Sequence, residues 1–64
     1  MPDEELLRQV ARASERVKKA DASLIGARQE LREAIRAAHT GGWSYARIAS
    51  VLGISRQRVA ELAR

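Results

Sequence analysis

An all-α fold is predicted, with one long N-terminal helix followed by two short ones. Three observations predict it. Ala, Arg, Glu and Leu dominate while Phe is absent, which is helix-forming composition. Residues 3–38 contain no Pro and only one Gly, Gly26. Apolar residues recur at alternating steps of four and three through that stretch, and the pattern changes after Gly41-Gly42. Strand content is expected to be near zero.

The long helix is assigned to residues 1–39 and the two short helices to 40–64. Asp3, Glu4 and Glu5 place negative charge at the start, where the helix dipole favours it. Arg36 and His39 precede the stop Thr40-Gly41-Gly42, the sign expected at a C-terminus. Unbroken, residues 3–38 would span about 54 Å. The weak point is Asp21-Ala22-Ser23 followed by Gly26.

This segment carries a heptad seam. The a positions are Val10, Val17, Leu24, Leu31 and Ala38, and the d positions are Leu6, Ala13, Ala20, Ala27 and Ala34. Alanine at nearly every d position allows close helix approach, and an antiparallel coiled-coil homodimer is favoured over a parallel one. In one antiparallel register Leu6 faces Ala38, Val10 faces Ala34, Val17 faces Ala27, Leu24 faces Ala20 and Leu31 faces Ala13. Each layer then matches a larger residue to an alanine. The same register sets Arg16 against Glu30 and Asp21 against Arg28, both opposite in sign. Two other arrangements compete. A break near Asp21–Ser23 would fold the segment into a hairpin and give a four-helix monomer. If the segment served only as the first helix of the C-terminal unit, Leu31, Ile35 and Ala38 would suffice, and Leu6, Leu7, Val10, Val17 and Leu24 would lack a core.

Size and charge limit the function classes. Sixty-four residues make a single marginal core. With no cysteine and one histidine, neither a disulfide nor a zinc site can staple it, and no cofactor is implied. Outside support is therefore expected: a second copy, a larger protein or nucleic acid. Twelve Lys+Arg against eight Asp+Glu give +4 and an isoelectric point near 10.7. Residues 1–39 carry eight cations and seven anions, whereas residues 40–64 carry Arg47, Arg56, Arg58 and Arg64 against Glu61. Most of the excess thus lies in the C-terminal part. No run of about 20 apolar residues is present to span a membrane. The acidic start lacks the apolar stretch of a signal peptide. An enzyme is not expected, because no nucleophile–base pair, acidic cluster or phosphate-cradling Gly loop stands out.

In the C-terminal part, Ser44 is a good N-cap, with Trp43 and Ile48 spaced as a hydrophobic staple. Ile48, Ala49 and Leu52 share one face. Gly53 ends that helix, since it adopts positive φ cheaply, and Ile54 follows as an apolar plug. Ser55 caps a second helix in which Val59 and Leu62 face inward.

Tyr45–Arg64 resembles the helix-turn-helix of phage repressors, resolvase C-terminal domains and the promoter-binding region of sigma factors. The matching positions are Ile48, Ala49, Leu52, Gly53, Ile54, Val59 and Leu62, within the string Ile-Ala-x-x-Leu-Gly-Ile-Ser-Arg. The resemblance implies that Ser55–Arg64 is a recognition helix in the major groove of double-stranded DNA. It assigns base reading to Arg56 and Gln57, with Ala60 and Glu61 on the same outward surface. Ser44, Tyr45, Arg47 and Ser55 would hold phosphates, flanked by Arg58 and Arg64. Glu61 could equally pair within its helix with Arg58 or Arg64. The function implied is a homodimeric, sequence-specific transcriptional regulator of bacterial, plasmid or phage type. Such a protein would be cytoplasmic and nucleoid-associated, with no small-molecule ligand and no membrane partner. An adaptor whose long helix pairs with a larger protein, and a low-specificity architectural DNA binder, are the alternatives.

Overall fold

A computed structural model describes residues 2–19 and 24–64. The described residues form four helices and no strand: α1 (Glu4–Lys19), α2 (Leu24–Thr40), α3 (Tyr45–Leu52) and α4 (Arg56–Leu62). They pack into a body of 37 × 22 × 18 Å.

The expected single long helix is two helices. α1 begins where the acidic residues predict, with the Glu5 N–H donating to Asp3 Oδ1 at 2.9 Å. It ends with Arg16, Lys18 and Lys19 in its last turn. α2 then packs back along α1, and Arg16 Nη1 lies 2.8 Å from Glu30 Oε2. On a continuous helix these two residues would be about 21 Å apart. The ion pair expected between two chains therefore forms within one.

The physical reason is the symmetry of the heptad pattern. Its layers are centred near residue 22, so a chain folded there fills them as well as a second copy would. Folding within one chain also avoids the entropy of association. Asp21 and Ser23 are poor helix formers. Of the seam, Val10, Ala13, Ala27, Leu31 and Ala38 are buried inside the single chain, and Leu6, Val17 and Ala34 are half-buried. Ala20, the Leu24 side chain and the Asp21–Arg28 pair lie outside the described residues. Because the described part of this seam is packed from within, sedimentation equilibrium of the free protein is expected to give a 7.1 kDa monomer. Twice that mass would indicate that the seam pairs between chains.

α2 ends at a local stop. Gly42 has φ 109°, which β-carbon-bearing residues rarely adopt. The Trp43 N–H reaches back to the Ala38 carbonyl and the Gly42 N–H to that of His39, the hydrogen-bond pair of a Schellman motif. The start of α1 packs over this turn. A Cβ at Gly41 would collide with Leu6 Cδ1, and Trp43 Nε1 donates to the Asp3 carbonyl at 2.9 Å.

All four helices meet in one core. Its largest fully buried side chains are Val10, Ile35, Ile48 and Val59, one from each helix. Leu7, Ala13, Leu31, Ala38, Ala49 and Ala63 complete the buried cluster. The hairpin thus supplies the apolar support that two short helices lack. Gly26 serves no packing purpose, since a Cβ there would meet nothing within 4 Å. Gly26→Ala is expected to stabilise the fold by about 0.5–1 kcal/mol, visible as a raised midpoint in thermal unfolding. Among the described residues, no helix is long and apolar enough to cross a membrane.

Candidate nucleic-acid interface

Two serine caps define the α3–turn–α4 unit. Ser44 has φ −73° and ψ 156°, and its Oγ accepts from the Arg47 N–H at 3.1 Å. Ser55 repeats the arrangement with φ −76° and ψ 155°, accepting from the Arg58 N–H at 3.1 Å. Between them Gly53 takes φ 71°, and the Gly53 and Ile54 N–H groups both donate to the Ala49 carbonyl. Each serine spends a lone pair on its cap and keeps its O–H to donate to an anion. Both serines are exposed.

α4 presents two unlike sides. Val59 and Ala63 are buried against the other helices. Gln57, Glu61 and Arg64 are exposed and cluster on the opposite side at 100° per residue. Ala60 is half-buried beside them, and exposed Arg56 flanks them at the helix start. On α3, Arg47 is exposed. Arg47, Arg56 and Arg64 have no carboxylate partner among the described residues, so this surface carries uncompensated positive charge.

Arg58 and Glu61 behave differently from their neighbours. Arg58 Nη1 lies 3.8 Å from Glu61 Oε2 along α4. Both side chains are substantially exposed, so the pair contributes well under about 1 kcal/mol. Arg58 also borders a groove formed with α1 and α2, away from Arg56 and Gln57. It therefore flanks the outward face of α4 rather than standing in it.

Tyr45 is half-buried and stacks on His39, with ring centroids 4.2 Å apart and planes 19° from parallel. His39 Nδ1 is 3.0 Å from the Trp43 carbonyl, which ties this aromatic pair to the α2–α3 turn. From the sequence, His39 is expected only to cap α2 or lie on the surface. Arg36, placed by the sequence as a cation near the end of the first segment, also has its Nε donate to the Ala63 carbonyl at 2.6 Å. That bond satisfies a carbonyl at the end of α4 and fixes the helix against α2. No local signal announces it, because the partners stand 27 positions apart. Comparison with family models, with curated proteins and with solved structures finds no match to this chain.

Proposed function

We propose that this chain is a small sequence-specific DNA-binding protein of the transcription-regulator class, with α3–turn–α4 acting as a helix-turn-helix. α4 enters the major groove, where Gln57 and Arg56 meet base edges and Arg64 lies at the far end of the same surface. Ser44, Arg47, Ser55 and the anchored Tyr45 grip phosphates and set the register. The observation that carries this reading is the exposed, uncompensated positive surface of a doubly capped two-helix unit. Pairing of two copies is then set by adjacent half-sites on the duplex, since Ala13, Ala27 and Ala38 of the seam are buried within each chain.

A gel shift on mixed-sequence duplex DNA tests the proposal. Binding is expected at low salt, with affinity falling linearly in log salt. Arg47→Ala should weaken all duplexes alike and reduce the salt slope by roughly one. Folded protein that shifts no duplex at low salt would contradict the reading.

A further inference from the structure

A groove of about 410 Å³ lies where α1 and α2 meet the α3–α4 turn. Its apolar lining comes from Val17, Leu31, Leu52, Ile54 and Leu62. Ile54, at 37% exposure, is one of the large hydrophobic residues left open to solvent. Four cations surround this lining: Lys18 from α1, Arg28 and Arg32 from α2, and Arg58 from α4. Glu61 is the single carboxylate among the described residues that line it. Lys18 and Arg58 touch carboxylates only at 3.6 and 3.8 Å, in exposed pairs that a stronger acidic partner can displace.

The second groove of the same hairpin is a useful contrast. It is lined by Arg12 and Arg16 against Glu30 and Glu33, so its charges balance, and Arg16 is already bound to Glu30. The cationic groove is therefore not a general property of an arginine-rich chain. Its chemistry also argues against nucleic acid. Phosphates gain nothing from a leucine and isoleucine lining, and none of the described lining residues is an aromatic platform for unpaired bases. An occupant must instead present apolar side chains on one side and carboxylates beside them.

We infer that this groove docks an acidic amphipathic helix of a protein partner, its apolar anchors set among Val17, Leu31, Leu52, Ile54 and Leu62 and its carboxylates facing Lys18, Arg28, Arg32 and Arg58. Arg56, Gln57, Ala60 and Arg64 do not line this groove, whereas Arg58 and Glu61 line it from the edge of the outward face of α4.

The test uses the full chain and a synthetic helical peptide with Leu at i, i+3, i+4 and i+7 and Glu on its flanks. A peptide of the same composition in scrambled order serves as control. Amide chemical-shift mapping should place the helical peptide at Val17, Leu31, Leu52, Ile54 and Leu62. The doubly charge-reversed variant Arg28→Glu/Arg32→Glu should weaken binding roughly tenfold or more. Both positions are exposed, and unchanged circular dichroism will confirm folding. Arg32→Gln alone should give a smaller loss in the same direction. Several results would overturn the proposal: equal binding of the scrambled peptide, shifts confined to other surfaces, or full affinity in the charge-reversed variant. It would likewise be overturned if a DNA duplex perturbed Val17, Leu31 and Leu52, or if these shifted with protein concentration alone, which would assign the groove to nucleic acid or to a second copy.

Discussion

Replacing Ile35 with alanine is expected to leave much of the protein unfolded at 25 °C. Ile35 is fully buried in α2 at the junction of all four helices. Truncating such a side chain removes its transfer free energy and leaves a cavity, at a combined cost of about 2–5 kcal/mol. A core of this size rarely supplies more than about 3–5 kcal/mol in total, so the loss approaches the whole stability. Urea unfolding followed by circular dichroism will measure it. Ile35→Val should cost only about 0.5–1.5 kcal/mol and remain folded. If Ile35→Ala is nearly silent, the hairpin does not support α3 and α4 in the way described.

Alanine at Arg56 or Gln57 is the second large effect, and it appears in binding rather than folding. Both side chains are exposed and neither is in the core cluster, so stability should change by less than about 0.5 kcal/mol. A bidentate contact to a base edge is worth about 1–3 kcal/mol of discrimination. Each substitution should therefore relax preference at one or two base pairs by roughly tenfold to a hundredfold. Anisotropy titrations against a set of singly changed duplexes will read this directly. A uniform loss across all duplexes would assign the two residues to phosphates and favour an architectural role.

What was legible in the chain follows the range of each interaction. Ser44, Gly53 and Ser55 act on backbone groups within a turn of themselves, and their geometry matches what their spacing predicts. The start at Asp3-Glu4-Glu5 and the stop at Thr40-Gly41-Gly42 are equally local, and α1 begins and α2 ends there. The heptads carried longer-range information, and the Arg16–Glu30 pair forms as their antiparallel register requires. They could not say which molecule supplies the opposing helix. Val10 facing Ala34 is the same layer whether Ala34 belongs to the same chain or to another. The bond from Arg36 to Ala63, the His39–Tyr45 stack and the gathering of Lys18, Arg28, Arg32 and Arg58 depend on how the hairpin sits against the C-terminal unit. No periodicity within a single helix encodes that placement.

The proposed function rests on the outward face of α4 reading a DNA sequence. The most direct measurement is selection of bound duplexes from a random library, followed by titration of the selected site and of singly changed sites at physiological salt. A reproducible site is expected in which each changed base pair that is read costs about 1–3 kcal/mol, with that cost abolished at one position by Gln57→Ala. A folded chain that enriches no sequence, or that binds selected and shuffled duplexes with equal affinity, would contradict it.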